Sequence, residues 1–280
     1  MTINQLPAKT WNFLHMNGAE LTFPEDVYEK EVSLLVPEGE SRTEIQYLTK
    51  DLTEGNRESI LRNRFSVAKG GSLTLIQIQT LPEDALIYNA IEGKVEQDGA
   101  FRLIQLILGG GKTYYETKTD LSEEGSSFEA DIAYHLEKEE MLDMNFVADH
   151  KGRRSESRIN VSGVLKENAK KLFRGTIDFH KGCAGAKGAE LEDVLLLNEG
   201  VVNQTIPLIL CNEEDVEGSH GATIGKPDEE LIFYMKSRGI PEDEIYRMMA
   251  RSKIDVVAGR IKDAGAKEYL AKILDEEQIR

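Results

Sequence analysis

One histidine and two cysteines are the residues of this sequence best suited to hold a metal ion. His220 lies between two glycines in the segment Gly218–Gly221. Because glycine permits positive φ angles and close backbone approach, we expect His220 on a tight bend outside regular structure. Cys211 precedes it closely, and Cys183 lies further upstream. Imidazole and thiolate both bind iron and other borderline metals, so His220, Cys211 and Cys183 are candidate ligands.

Each of these residues also has an ordinary structural explanation. A free cysteine is commonly a small buried hydrophobe, and the acidic run 213–217 is typical of a solvated turn. Two cysteines in 280 residues cannot form a disulfide framework, and they lack the Cys-x-x-Cys spacing of a self-contained metal site. The residue types alone leave the metal-binding and the structural interpretations open.

No sequence pattern for a hydrolytic enzyme is present. We find no Ser-His-Asp arrangement, nucleophile elbow or His-Glu-x-x-His motif. Gly109–Gly111 with Lys112 and Thr113 resembles the end of a P-loop. That motif needs a glycine where this chain has Leu106 and a helix where strand-like residues follow. We predict a sharp turn there.

Charge and composition narrow the possible partners. The net charge is −16, from 34 basic and 50 acidic residues, so phosphate backbones repel the chain and nucleic-acid binding is not expected. Hydrophobic residues make up 40%, and no apolar run reaches the ~20 residues of a membrane span. The N-terminus has no apolar signal-peptide region. We expect a cytoplasmic protein that does not bind membranes.

The chain before residue 226 has strand patterns. Apolar and polar residues alternate through 44–48 and 127–134, and 72–79 and 100–108 begin with alternation and become continuously apolar. Glycines recur at Gly71, Gly99, Gly125 and Gly152, with gaps of 28, 26 and 27 residues. Strands repeating at this interval without helices favour a β-solenoid, and a β-sandwich is the alternative.

The last 55 residues, 226–280, have helical patterns instead. A first helix is predicted over 228–238, begun by acids after Pro227 and ended by Gly239. A second follows to about Asp263, with Ile245, Met248 and Met249 on one face, and a short third helix comes last. The apolar face is either packed on the strands or a partner-binding surface.

Several residues along this chain match one family pattern. They are His220–Thr223, Gly225, Asp228–Glu230, Phe233–Tyr234 and Ser237–Gly239, with Phe173–Gly175, Asp193, Leu195–Leu197, Pro207 and Asp215–Val216 upstream. In order and spacing they resemble the SufB/SufD family, scaffold subunits of the SUF machinery that builds iron–sulfur clusters. The resemblance is specific from about Arg158 to Ile245 and general elsewhere.

The resemblance implies a mainly β fold, a right-handed parallel β-helix over 21–225, with a lead-in at 1–20 and a helical domain at 226–280. It implies a non-catalytic scaffold that binds an ABC-type ATPase, SufC, and pairs with a second SufB/SufD-type subunit or a copy of itself. His220 would serve cluster assembly, with a transient iron–sulfur cluster or none tightly bound. The expected ATPase-binding residues are Asp228, Glu229, Phe233, Tyr234, Ser237, Arg238, Gly239, Ile245, Met248 and Met249.

The chain departs from the SufB branch of the family. Ser219 and Gly221 flank the histidine where SufB-like proteins have acids, which makes the motif SufD-like. The SufB-type cysteine would fall near Val201 and is absent. Strands begin by about residue 21, so the chain resembles a compact member without the N-terminal helical domain. A cluster site copied from SufB is therefore not expected here.

Two other classes of function remain possible from the sequence. Parallel β-helices also host polysaccharide-active enzymes, and the acidic surplus permits that. A metal-free protein-interaction module is the other alternative.

Overall fold

The computed structural model describes residues 1–8, 16–51 and 53–276. These residues form sixteen strands and three helices. The strands are β1 (Thr2–Ile3), β2 (Ala19–Glu20), β3 (Tyr28–Val36), β4 (Ser41–Leu48), β5 (Glu58–Val67), β6 (Ser72–Gln79), β7 (Leu86–Val95), β8 (Ala100–Ile107), β9 (Lys112–Leu121), β10 (Ser127–Leu136), β11 (Met141–His150), β12 (Glu156–Leu165), β13 (Lys170–Phe179), β14 (Ala186–Leu196), β15 (Val202–Cys211) and β16 (Val216–Gly225). The helices are α1 (Glu229–Ser237), α2 (Glu242–Ala258) and α3 (Ala264–Glu276).

Fourteen of the described strands form two parallel sheets of seven. One contains the odd-numbered strands β3 to β15, and the other the even-numbered strands β4 to β16. Each strand pairs with the strand two places along the chain, so the backbone winds as a parallel β-solenoid of about seven coils. This confirms the predicted solenoid and excludes the sandwich. The small sheet of β1 and β2 is antiparallel.

The glycine repeat in the sequence follows the coils. Leu73, Phe101 and Phe128 share one register position in β6, β8 and β10. The position lies two residues after Gly71 and Gly99 but three after Gly125, so the corner has grown by one residue. In β12 the equivalent residue is Ser157, because the corner after Gly152 is longer still.

Apolar side chains fill the space between the two sheets. Phe65, Phe101 and Phe128 stack in successive layers, with ring centroids 4.1 Å and 5.4 Å apart. Each is at most 4% exposed, and burying one such side chain contributes roughly 1.5–3 kcal/mol. These repeated contacts hold neighbouring coils in register.

Amide side chains fill part of the interior in the first coils. Gln46, Gln77 and Gln105 occupy one register position in β4, β6 and β8. Gln77 Nε2 donates to Gln46 Oε1 at 2.8 Å, and Gln105 Nε2 donates to Gln77 Oε1 at 2.8 Å. Asn63 and Asn89, from β5 and β7, join this amide ladder across the interior. Hydrogen bonds between coils thus offset the cost of burying these groups.

An arginine fastens the N-terminal segment to the odd-numbered sheet. Arg174 in β13 is 1% exposed. Its guanidinium donates to both carboxylate oxygens of Asp143, and its Nε donates to the Met16 carbonyl at 2.7 Å. Asn4 Nδ2 donates to the same carboxylate at 2.7 Å. The arginine of the Phe173–Gly175 motif therefore has a structural role.

Helices α2 and α3 cover the outer face of the even-numbered sheet. Ile254, Val257, Leu270 and Leu274 pack against Ile76, Ile78, Ile104 and Leu106 of β6 and β8. Lys253 Nζ lies 2.5 Å from Asp193 Oδ2 and links α2 to β14. The packed alternative predicted for the apolar stripe therefore holds for this part of the tail.

The boundaries of the last two helices differ from the prediction. Helix α2 ends at Ala258, before the predicted Asp263, and Gly259 is its C-cap. Helix α3 begins at Ala264 and has Gly265 in its first turn. Asp263 Oδ1 accepts a hydrogen bond from Ala266 N at 2.8 Å, and such a cap stabilises the start of a helix in spite of the glycine.

Candidate functional site

The last coil of the solenoid is covered on one side only. Strands β15 and β16 are the ends of their sheets, and among the described residues no further strand pairs with them. Of the twenty residues in these two strands, Ile206 alone is fully buried. We call the inward-facing residues Thr205, Pro207, Ile209, Gly218, His220, Ala222 and Ile224 the open end of the solenoid.

His220 lies within β16, and the predicted tight bend is wrong. Gly218 and Gly221 are not in the positive-φ region, so both are extended strand residues. A Cβ atom on Gly218 would lie 3.1 Å from Phe179 and from Ile209. This glycine therefore allows close packing over the interior side chains and does not form a turn. His220, two residues on, faces the same side of the sheet.

A buried carboxyl group lies directly beneath His220. Glu190 of β14 is in register with His220 and is 3% exposed. Burial raises the pKa of Glu190 to about 8, and the neighbouring Glu192 adds to the rise, while Lys171 opposes it. The carboxyl group is thus largely protonated at neutral pH.

Glu192 lies two residues after Glu190 in β14 and forms a buried ion pair with Lys171 of β13. Lys171 Nζ contacts Glu192 Oε1, and it donates to Thr205 Oγ1 at 2.9 Å. Thr205 in turn donates to Glu192 Oε2 at 2.7 Å. Burial lowers the pKa of Lys171, and the contact with Glu192 opposes that shift. The interior beneath the open end therefore holds one cationic and two carboxyl side chains.

Cys183 and Cys211 lie together in the last coils, at a different position along the strands from His220. Cys211 ends β15 in register with Phe179, and its thiol donates to the Glu213 carbonyl at 3.1 Å. Cys183 is buried in the corner after β13, packed near Phe179 and Val216. Burial, then Glu213 and Cys211, raise the pKa of the Cys183 thiol, which makes it a poor nucleophile.

The register separates the cysteines from His220. Val216, which packs near Cys183, and His220 are four residues apart in β16, or about 13 Å along an extended strand. Cys183 and Cys211 therefore lie at one position along the strands of the last coils, and His220 lies at another.

A second group of potential metal ligands was missed from the sequence. Asp149, Asp178 and His180 have ligand atoms within 4.8 Å of one another. His180 Nε2 lies 2.5 Å from Asp149 Oδ1. Lys151 Nζ lies 2.8 Å from the other carboxylate oxygen of Asp149, Oδ2. On this outer face the carboxylate of Asp149 is thus already engaged by Lys151 and by the His180 ring. The sequence signal was an aspartate every 29 residues, since Asp120, Asp149 and Asp178 are in register.

Helix α1 exposes the apolar residues predicted to bind a partner. It has no buried residue, and Phe233 and Tyr234 are 76% and 54% exposed. Asp228 caps the helix by accepting from Glu230 N and Leu231 N. The Arg238 guanidinium stacks over the Tyr234 ring at 5.1 Å.

The remaining predicted contact residues have mixed environments. Glu229 starts α1, Ser237 Oγ donates to the Tyr234 carbonyl at 2.6 Å, and Gly239 has a φ of +86° that ends the helix. In α2, Met248 is 48% exposed and Ile245 is fully buried. Met249 packs near Val164 and Leu195 of the even-numbered sheet. Ile245 therefore supports the packing of the tail and offers no surface to a partner.

No helix in the described ranges has the length and apolar character needed to cross a lipid bilayer. The fold and the site define a parallel β-solenoid with an exposed terminal coil, a histidine on that coil and a helical appendage with an uncovered first helix. A family model described as "SUF system FeS cluster assembly, SufBD core domain" matches residues 28–253. The chain belongs to this family, whose members act in iron–sulfur cluster assembly.

Individual relatives agree with the family match. The SufD protein of Bacillus subtilis is 26% identical over 171 residues, 61% of this chain and 39% of the relative. SufD of Escherichia coli is 24% identical over 239 residues, 80% of this chain and 56% of the relative. A SufBD family protein of Mycobacterium leprae is 23% identical over 221 residues, 76% and 56% of the two chains. This chain thus spans about two fifths to just over half of these relatives.

Proposed function

We propose that this protein is a non-catalytic scaffold subunit of the SUF system that binds a SufC-like ABC-type ATPase through α1. The exposure of α1 is the observation that carries the proposal. Leu231, Phe233 and Tyr234 form an apolar surface on a helix with no buried residue. An amphipathic helix of this kind suits an apolar groove on a partner. The exposed Met248 of α2 extends the proposed surface.

The open end of the solenoid supports the second half of the proposal. Unpaired edges of β15 and β16 offer backbone hydrogen-bonding groups to another chain, and the exposed Ile209 and Ile224 offer apolar area. We propose that a second SufB/SufD-type subunit, or a second copy of this chain, covers this end. His220 would then lie at the interface, where the transient cluster is the cargo.

Co-purification with the SufC-type ATPase of the same organism tests the proposal. Deleting residues 226–280 would expose Ile76, Ile104 and their neighbours, which α2 and α3 cover, so point variants are preferable. Tyr234→Ala combined with Arg238→Glu removes an apolar ring and reverses a charge on α1. We expect ATPase binding at least about tenfold weaker, equal to about 1.4 kcal/mol.

The matched control is Leu35→Ala, which truncates an apolar side chain that is 64% exposed on β3, far from α1. We expect this variant to bind the ATPase normally. Unchanged affinity of the folded Tyr234/Arg238 double variant would contradict docking through α1. Absence of ATPase binding by the wild type, with partner binding of another kind intact, would favour the interaction-module alternative.

A further inference from the structure

Three aspartates of successive coils lie in register on the outer face of the odd-numbered sheet. Asp120, Asp149 and Asp178 occupy one position in β9, β11 and β13, where neighbouring strands are about 4.8 Å apart. Like charges placed directly opposite each other in a sheet destabilise it. Lys151 Nζ contacts Asp120 Oδ2 at 3.0 Å and Asp149 Oδ2 at 2.8 Å. One lysine therefore serves two of the three acids.

Asp178 is the acid that this lysine does not contact. Among the described residues, no lysine or arginine forms an ion pair with Asp178, and His180 Nε2 lies 3.5 Å from its Oδ2. Asp178 Oδ1 is buried and has no hydrogen-bond partner in the same part of the chain. Burial raises the pKa of Asp178, His180 opposes the rise, and Asp149 adds to it. The Asp178 carboxylate thus lacks a full counter-charge.

His180 completes a set of three ligand atoms with Asp149 and Asp178. Each side chain brings one ligand atom within 4.8 Å of the other two, and all three residues are half-buried, so an ion can enter from solvent. An ion with bonds of about 2.1 Å places adjacent ligand atoms roughly 3.0–3.4 Å apart. The 3.5 Å between His180 Nε2 and Asp178 Oδ2 already fits this spacing. The 2.5 Å contact between His180 Nε2 and Asp149 Oδ1 is a hydrogen bond, whose proton an ion would replace.

Backbone hydrogen bonds hold these ligands in place. Asp149 and Asp178 belong to paired strands, and the His180 amide donates to the His150 carbonyl at 2.9 Å. We propose that Asp149, Asp178 and His180 bind one divalent cation of the class Mn²⁺, Fe²⁺, Co²⁺ and Zn²⁺. Mixed imidazole and carboxylate ligands suit these ions. The ion fastens the corner after β13 to β11. Because the site lies apart from both the open end and α1, it does not rest on the scaffold proposal.

Titration of the full chain with Co²⁺, followed by visible absorption and calorimetry, tests the proposal. The background carries His220→Ala and Cys211→Ser, so that neither the open end nor the exposed thiol binds the ion. We expect one Co²⁺ per chain, and at least about tenfold weaker binding in His180→Gln and in Asp178→Asn. Because both residues hold one ion, their losses in the double variant should be strongly non-additive. Asp26→Asn, at an exposed aspartate before β3, is the control and should bind normally.

Three results would overturn the proposal: no Co²⁺ binding by the background protein, unchanged binding by a folded Asp178→Asn variant, or independent losses at the two positions. In the first case a protonated His180 is itself the cation between the two aspartates. Binding of the SufC-like ATPase should be equal in all of these variants, because α1 lies elsewhere. The metal site and the docking proposal therefore stand or fall separately.

Discussion

Polar side chains enter the solenoid interior in two regions, and the two regions differ in charge. In the first coils, the amides of Gln46, Gln77 and Gln105 link one coil to the next. In the last coils, the interior holds Lys171 and Glu192 as an ion pair, with Glu190 beside them. Both sets occupy inward-facing positions of the same repeating fold.

The difference in charge between the two regions indicates which interior side chains the fold itself requires. Neutral amides donate and accept in equal number, so a ladder of them can repeat through stacked coils without a net charge. An ion pair must recover a desolvation cost of several kcal/mol per ion, and an additional carboxyl group has no such compensation. The first region shows that polar interiors can be built without charge. The charged region, next to the uncovered coil that carries His220, is therefore better explained by function.

Removing the positive charge of Lys171 from the interior of the last coils should have the largest effect on stability. Lys171→Met leaves Glu192 buried without its partner, beside the unpaired Glu190. We expect a loss of about 3–5 kcal/mol in the free energy of unfolding, measured by urea denaturation. Lys170→Met, at the exposed neighbouring position, should cost less than about 0.5 kcal/mol.

The double variant Lys171→Met/Glu192→Gln sharpens this test. Neutralising both charges should recover most of the lost stability, because the penalty arises from an uncompensated charge and not from lost packing. If Lys171→Met is tolerated as well as Lys170→Met, the contrast between the two interior regions is wrong.

Glu190 should make stability depend on pH in a defined window. Its pKa is about 8 in the folded protein and near 4.5 when unfolded, so the folded state holds the proton more tightly. The stability associated with this proton is fully present below about pH 4.5 and is lost as pH rises toward and through 8. At about 1.4 kcal/mol per pKa unit, the loss between pH 5 and pH 9 is on the order of 4 kcal/mol.

Comparing wild type with Glu190→Gln isolates this effect. The unfolding free energies at pH 5 and pH 9 should differ less in the variant, since glutamine does not titrate. Burial lowers the pKa of His135 and His150 to about 4, which destabilises the fold below about pH 6.5, but that change cancels between the two proteins. Parallel pH profiles of wild type and variant would show that Glu190 is not buried as described.

Much of the fold was predictable because a solenoid repeats its signal. Strand alternation and evenly spaced glycines predicted the coils, and each coil supplied independent support. The position of His220 was not predictable in the same way. Glycines close to a histidine on both sides favour a bend, and only the packing over Phe179 and Ile209 shows that Gly218 serves close packing within a strand.

The interior charges were missed for a different reason. In the segment around Glu190 and Glu192, alternate acids predict a solvated strand face, because no local pattern distinguishes inside from outside when acids and apolar residues alternate. Leu191 between them is 54% exposed, the reverse of the usual pattern. Packing against Gly175 and Lys171 across the interior decides the orientation, and those residues lie about fifteen to twenty residues away in the sequence.

The smallest of the predicted effects concerns the neutral region. Gln77 makes three hydrogen bonds, to Gln46, Asn89 and Gln105, each 2.8 Å long. Gln77→Leu would leave three buried amide atoms unpaired, with part of the cost relieved by rearrangement among the remaining amides. We expect a loss of about 2 kcal/mol, independent of pH between 5 and 9, whereas the exposed Gln204→Leu should be nearly neutral. A pH-dependent loss for Gln77→Leu would mean that the first coils also hold charge, and the distinction between a structural and a functional interior would fail.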